Sequence, residues 1–565
     1  MPRRPPCPSG GQIETTVENV SGVSAHVIVL QIGSSNLRVG RASDYQPHVV
    51  PHCIARRKMK EYVHMADDTI LMKQLPMTDD VESQVQSSLA DIDRDLQTMR
   101  LGMRRPNYST EQVQKFNEKV IGQEITEISD EEWTDVRHQP HVVIGHKALW
   151  ISPREPYELH WPVRRGRPVS SRGHVSKESV LADLESLWAA AIKEKLGIEQ
   201  ADFKLYSAIG IVPDSFTRGD IKEVMNTLLI RLGFATAIVH QESVCATFGA
   251  GVGSACVIDV GDQKTTICCV DDGLAIPTSR VVLDYGGCDV TRVFFDLMKR
   301  VGFPYRTCNI SNRLDAFLLQ RLKEAHCHLD VDIYGVQNCG FQVSYPNQRI
   351  IQYAMQLADE GAKAPMAVFY PDLFGLSGGN VVRLYSPPDA ESDDLYGDQQ
   401  LLETGIRTKG GALPPLMPFD MATSSPMPTL EVPPSVLPAQ QTSPQIQYVL
   451  SLDKAVHLSM ERLGSDEMRR KMYGCILLVG GGFTFSGGAQ MLQNYMQSGL
   501  PSHYKRFVDR VEVLAKPKDL DPRMVCWKGA AILSCLDSAK ELWIMQEEWE
   551  HFGVRVLRER CPFIW

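Results

Sequence analysis

Two short stretches carry residue types that could meet a phosphate. In one, the apolar run Ala255 to Ile258 enters Asp259, turns through Gly261, Asp262, Gln263 and Lys264, and leaves through Ile267 to Val270. Apolar runs on either side of a Gly-containing turn read as a β-hairpin. Gly261 has no Cβ, so a phosphate can come close to the backbone from Val260 to Asp262. Asp259, at the strand end, can hold a hydrated Mg²⁺ through water, the mode that ion prefers.

The pattern recurs near the N-terminus. Val27 to Leu30 enters Gln31-Ile32-Gly33-Ser34-Ser35-Asn36, and Leu37 to Val39 leaves. Two hairpins of one kind, far apart in the chain, predict two related lobes facing one nucleotide. A third turn completes the set, where Ile476-Leu477-Leu478-Val479 runs into Gly480-Gly481-Gly482. A loop without side chains lets a base or ribose lie against the backbone.

The elements between these turns alternate. Ser176 caps a helix with Val180, Leu184, Leu187, Ala191 and Ile192 on one face, and a strand runs from Leu205 to Val212. The next helix buries Ile221, Val224, Leu228 and Leu232 and stops at Gly233, and further helices fall around Val293 to Val301 and Leu314 to His326. Strand and helix in alternation mean an α/β sheet.

Between residues 58 and 141, Val81, Val85, Leu89, Ile92, Leu96 and Met99 recur at helical spacing, with Thr78 as N-cap and Gly102 as stop. The apolar stripe of this amphipathic helix faces its own domain or a partner helix. A weaker helical pattern follows around Val113, Phe116, Val120 and Ile121. Beside Trp161, Arg164, Arg165 and Arg167 either grip a phosphate backbone, as DNA-binding candidates, or sit on a solvated loop. Residues 378–445 form a Pro/Ser/Gln tract from which no core can be built, and residues 1–22 are broken by prolines; both are expected to be disordered.

The net charge of −9 argues against a protein that coats nucleic acid by bulk charge, while leaving room for basic patches. Fourteen cysteines form no Cys-x-x-Cys pair and read as reduced thiols of a cytosolic or nuclear protein. No signal peptide or spanning segment is evident, so no membrane partner is expected.

The order hairpin, hairpin, strand-Gly-Gly-Gly resembles the actin, Hsp70 and hexokinase superfamily, and its wording is that of the actin family. Leu283-Asp284-Tyr285-Gly286-Gly287 is similar to the segment after the second phosphate loop, Leu322-Lys323-Glu324 to the adenine-contacting helix, and Trp527-Lys528-Gly529-Ala530 to the nucleotide-closing turn. Glu541-Leu542-Trp543-Ile544 resembles the C-terminal helix. His240-Gln241-Glu242-Ser243-Val244-Cys245-Ala246-Thr247 and the ending Phe552 to Arg560 resemble a nuclear, actin-related branch.

This resemblance implies an α/β, actin-like fold: two ribonuclease-H-like lobes around a nucleotide cleft, with large insertions. The first lobe would comprise 23–57 and 142–250, and the second 251–377 and 446–565, with the C-terminal helix packing back on the first. ATP and Mg²⁺ are the implied ligands. Gly33, Ser34, Ser35 and Arg38 would serve one face of the phosphates, Asp259 (also the metal, through water), Val260, Gly261 and Asp262 the other, and Lys323, Glu324, Gly480, Gly481 and Gly482 the nucleoside. Gln31 replaces a metal-organising aspartate, Glu242 a water-positioning glutamine and Thr266 a histidine, and Arg38 stands where the family keeps a lysine. Glu242 would be catalytic only if the cleft turns ATP over, and loss of charge at the metal implies slow or negligible hydrolysis.

The implied role is a non-enzymatic nuclear scaffold of an INO-eighty-type chromatin remodeller. Its implied partners are the helical arm of a Snf2-type remodelling ATPase, monomeric actin, another nuclear actin relative, nucleosomal histones and linker DNA, with transcription regulation and DNA repair as the setting. The alternative is a slow ATPase acting outside a remodeller. A filament is opposed by the two insertions.

Overall fold

Two sheets repeat one plan. In the first, the strands run in the order Ile544–Met545, Thr236–Gln241, Ser207–Val212, Val27–Ile32, Asn36–Arg41 and His48–Pro51. Val27–Ile32 and Asn36–Arg41 form an antiparallel hairpin, and Ser207–Val212 and Thr236–Gln241 add parallel to its first strand. In the second sheet, Ala255–Val260 and Thr265–Asp271 form the hairpin, and Ile476–Val479 and Val513–Leu514 add parallel to it. Val27–Ile32 and Ala255–Val260 are buried at every position. A strand covered on both faces by helices has no polar side, hence its continuous apolar sequence. The computed structural model describes residues 24–58, 78–101, 109–128, 132–168, 176–376, 381–385, 449–506, 508 and 510–561.

Each lobe has its own apolar core, and a third cluster joins the two. That cluster is centred on helices Glu242–Ala250 and Val525–Ser534, which cross at glycines. A Cβ on Gly529 would lie 1.7 Å from the Cys245 carbonyl oxygen, and one on Gly249 would lie 2.1 Å from that of Val525. Only glycine permits this approach. The chain therefore crosses back to the first lobe before its C-terminal helix: Trp527 donates from Nε1 to the Val29 carbonyl at 3.2 Å. Ile544–Met545 then pairs with Thr236 and Ala237, and Trp549 and Leu557 enter the first core.

The helix expected after Thr78 spans Asp79–Met99, and the Thr78 hydroxyl accepts from the Val81 amide at 3.4 Å. The expected stop, Gly102, lies outside the described residues. Although the chain inserts this helix within the first lobe, its buried Ile92 and Leu96 join the core of the second. Polar contacts fix it there. Tyr495 donates to the Asp95 carboxylate at 2.7 Å, Tyr370 donates to the same carboxylate, and ion pairs join Arg100 to Asp359 at 2.9 Å and Lys363 to Asp93 at 2.6 Å. The weaker helix spans Thr110–Lys119, where Val113 is buried but Phe116 is exposed; Ile121 lies beyond its end in solvent. Gln123–Ile128 then adds to the Gln337–Val343 and Arg349–Leu357 sheet.

Three assignments differ from the sequence reading: the segment Glu541 to Ile544, read as the C-terminal helix, ends a 3-10 turn at Leu542 and enters the Ile544–Met545 strand, and the helix follows at Gln546–Phe552. Leu205 closes a short 3-10 turn, and the strand begins at Ser207. Val382–Leu384, inside the tract expected to be disordered, pairs with Val281–Leu283, because Val382 has an apolar slot at the sheet edge to fill. Residues 1–22, 386–445 and the return of order expected at Ile446 lie outside the described residues. Every described cysteine is a free thiol. Among the described residues, no helix is long and apolar enough to cross a membrane.

Candidate nucleotide-binding cleft

The two hairpin tips face each other across a cleft of about 1670 Å³. The Ser35 hydroxyl donates to the Asp262 carboxylate, tying one tip to the other. Ser34 Oγ accepts from the Gly166 amide at 3.0 Å, so the loop between Val163 and Pro168 lies against both tips. Beneath Gly33, His52 Nδ1 bonds the Gly33 carbonyl at 2.6 Å, and Trp188 Nε1 donates to His52 Nε2 at 3.1 Å. An acceptor at Nε2 requires a neutral ring with its proton on Nδ1. Burial enforces this, lowering the His52 pKa to about 4.

The charges are arranged in a compact set. Lys264 Nζ lies 2.6 Å from Glu242 Oε2, with both side chains buried. Burial raises the Glu242 carboxyl to about 7 against the pull of Lys264. Burial also works against the Lys264 charge, but Glu242 and Asp259 outweigh it and hold the ammonium above the usual lysine value. Asp259 is raised by burial, with Lys264 and Arg38 opposing; burial lowers Arg38, with Asp259 opposing. On the far wall Lys323 donates to the Gly287 carbonyl at 2.9 Å, and its charge faces Asp262. Glu324 is exposed on the same helix and lines the cleft near Arg523.

These residues fit a polyphosphate. Two recessed cations, Arg38 and Lys323, line the cleft beside the tips, and the buried Gln31 Oε1 at the cleft wall has no hydrogen-bond partner. Buried polar atoms are seldom left unpaired unless a ligand or water completes them. Among the described residues, no three His, Cys, Asp or Glu side chains gather as a metal cage. The donors thus suit an ion held by phosphate oxygens and water more than one held by protein alone.

Comparison with known proteins places this architecture. The family model described as Actin matches residues 22–311 and 425–562. The chain belongs to the actin family. It is 40% identical to actin-related protein 8 of Salmo salar, covering 96% of this chain and 92% of that one. To the human protein of that name it is 37% identical, covering 96% and 93%. A solved structure titled human actin-related protein Arp8 in its ATP-bound state superposes with a TM-score of 0.83 at 38% identity, covering 96% and 97% of the two chains. The fold is the actin fold.

In this actin-family frame the structure places Gly33, Ser34, Ser35, Arg38, Asp259, Gly261, Asp262, Lys323, Glu324 and Gly480 to Gly482 around one cleft. Val260 faces inward at the strand end, buried. The glycines after Val479 serve a purpose the sequence did not show. A Cβ on Gly482 would lie 2.2 Å from the Gly261 carbonyl oxygen, and one on Gly480, at φ +91°, 2.3 Å from that of Val260. They let this turn cross the second phosphate hairpin at backbone distance.

The structure separates the arginine triplet. Arg165 is engaged within the protein: it donates to the Gln263 carbonyl at 3.0 Å and to the Asp284 carbonyl, and pairs with buried Asp289 at 3.1 Å. Arg164 and Arg167 flank it on a two-stranded hairpin, Arg167 exposed. The Arg165, His52 and Lys264 contacts are long-range, and no local pattern announces them. The repeat does show in register. Gln31 stands opposite Arg38 in one hairpin, as Asp259 stands opposite Thr266 in the other.

Proposed function

We propose that the chain is a nuclear, ATP-binding actin-related scaffold subunit of an INO-eighty-type chromatin remodeller, with ATP and Mg²⁺ held as structural ligands. The observation that carries this reading is the pair of facing hairpin tips, joined by Ser35 and Asp262 and flanked by Arg38 and Lys323. An ATP-bound relative with the same fold supports it. Ser34, Ser35 and Gly261 would cradle the phosphates, and Asp259 would hold Mg²⁺ through water. When bound, the ion would neutralise phosphate charge. Glu242, already paired with Lys264, is not free to serve as a base, which supports a binding role over an enzymatic one.

The family resemblance extends the proposal to partners: the helical arm of a Snf2-type ATPase, monomeric actin, a second nuclear actin relative, histones and linker DNA. Arg164 and Arg167 are the proposed DNA contacts. The test is mass spectrometry of what co-purifies with the tagged chain from nuclear extract, with nucleotide assayed on the same sample. A Snf2-type ATPase recovered with actin and bound ATP is the expected result. The chain alone, turning over ATP, would instead support a slow ATPase.

A further inference from the structure

We propose that Lys264 silences the cleft: its ammonium group occupies Glu242, the carboxylate at the start of the Glu242–Ala250 helix, so that a bound nucleoside triphosphate is kept whole. The inference rests on the ATP reading above and adds a residue that decides the fate of the ligand.

Three observations carry it. First, Lys264 Nζ and Glu242 Oε2 are 2.6 Å apart, with side chains 7% and 4% exposed. An ion pair so short and so dry is a charge-assisted bond that water does not readily replace. Second, the lysine is held in place. Gly261 donates to the Lys264 carbonyl at 2.8 Å, closing the turn, and a Cβ on Gly166 would lie 2.3 Å from Lys264 Cδ. The loop carrying Arg165 and Gly166 thus packs on the lysine stem, and Arg165 itself donates to the neighbouring Gln263 carbonyl at 3.0 Å. Third, Glu242 belongs to the cleft lining together with Gln31, Arg38 and Asp259.

Hydrolysis would require a water to give its proton to a carboxylate while its oxygen bonds to the terminal phosphorus. The nucleoside diphosphate then leaves with the electron pair of the broken P–O bond. A base must accept that proton through a hydrogen bond to the water. With an ammonium at hydrogen-bond distance, the Glu242 lone pair facing Lys264 is taken and its basicity reduced. Lys264 is therefore a positioning residue that acts through Glu242.

The test uses the full chain, loaded with ATP and Mg²⁺, in wild-type form and as Lys264→Met, Lys264→Gln and Lys264→Met/Glu242→Gln. Two quantities are read: the rate at which bound ATP becomes ADP in a single turnover, and the equilibrium affinities for ATP and ADP. Read at a pH high enough to ionise a buried Glu242 that has lost its cation, Lys264→Met is expected to hydrolyse ATP about ten- to a hundredfold faster, within the range of general-base catalysis. The double variant should return to the wild-type rate. The ratio of ATP to ADP affinity should stay within about threefold, because the lysine is engaged by Glu242 rather than by the terminal phosphate. Lys264→Gln retains a donor to Glu242 without the charge and should fall between; it also decides the question if the methionine variant does not fold. Turnover that is unchanged or slower in both lysine variants overturns the proposal. So does a tenfold loss of affinity for ATP alone, which would make Lys264 a phosphate ligand. If no form of the chain holds nucleotide, the ATP reading itself fails, an outcome distinct from the others.

Discussion

Arg165, from the first lobe's hairpin, and Asp289, at the start of the second lobe's Gly287–Arg300 helix, meet at 3.1 Å, where Asp289 is 1% exposed. Burial opposes the Arg165 charge, but Asp289 outweighs it and holds the guanidinium above its ordinary value. Asp289 also accepts from the Gly286 amide at 3.0 Å, so it organises the turn beside the second phosphate hairpin.

Arg165→Ala leaves that carboxylate buried without its principal partner. Breaking a buried pair from one side costs about 3–5 kcal/mol. We expect a loss of that order in denaturant unfolding, accompanied by weaker ATP retention. A variant as stable as wild type would show that the bond between the lobes contributes nothing.

Neutralising Arg164 and Arg167 together should leave stability near wild type and lower the salt dependence of DNA binding by roughly one to two in slope, about 0.9 for each phosphate that is no longer neutralised. A slope that does not move would remove this hairpin from the DNA interface.

The separation of these three arginines shows how far the sequence could be read. The hairpins, the glycine turn and the helix after Thr78 were legible because their information is local: apolar periodicity, a cap and a turn residue. Which lobe would receive that helix was not. Its apolar stripe says only that Ile92 and Leu96 need a core, and the choice of the second lobe is made by Asp359, Tyr370 and Tyr495, remote in sequence. The same holds within the cleft. Gly261 and Asp259 announce a phosphate turn, whereas the pairing of Lys264 with Glu242 needs two elements brought together by the sheet. Val382–Leu384 was hidden by the Pro-rich composition beside it, since three residues are too few to show a period.

Ile92→Ala should test the docking of the inserted helix. Ile92 is fully buried in the second lobe's core, and such truncations cost about 2–5 kcal/mol. Amide hydrogen exchange should accelerate chiefly across 79–99, with the two central sheets remaining protected. Uniform acceleration throughout the second lobe would mean that the helix is part of its cooperative unit rather than a docked addition.

Gly482→Ala places a methyl 2.2 Å from the Gly261 carbonyl oxygen. Because that oxygen is backbone, relief must come from moving one turn away from the other. Affinity for ATP should drop at least about tenfold, or roughly 1.4 kcal/mol, as read by nucleotide content after purification. Gly464→Ala is the control, since nothing lies near its added methyl. Equal nucleotide content in the two variants would show that the close crossing of the turns does not shape the cleft.

His52 and His240 each work against the fold in acid. Burial lowers both to about 4 from an ordinary value of 6.5. Between those values the unfolded chain binds protons that the folded chain refuses, so stability rises with pH in that window and is lost as pH falls through it. Each histidine contributes on the order of 3 kcal/mol above pH 6.5, from a shift of about two and a half units at 1.36 kcal/mol per unit. His52 has the further burden that protonating Nε2 would set a positive charge against the Trp188 N–H, 3.1 Å away. The histidine contribution to the unfolding free energy should therefore decline from pH 6.5 to pH 4.5, opposed over the same range by Glu242, which burial raises to about 7. In His52→Asn, which is less stable at neutral pH, the decline should be shallower than in the wild type. An undiminished slope in that variant would mean that other groups carry the acid lability and that the His52 ring under Gly33 does not sense pH.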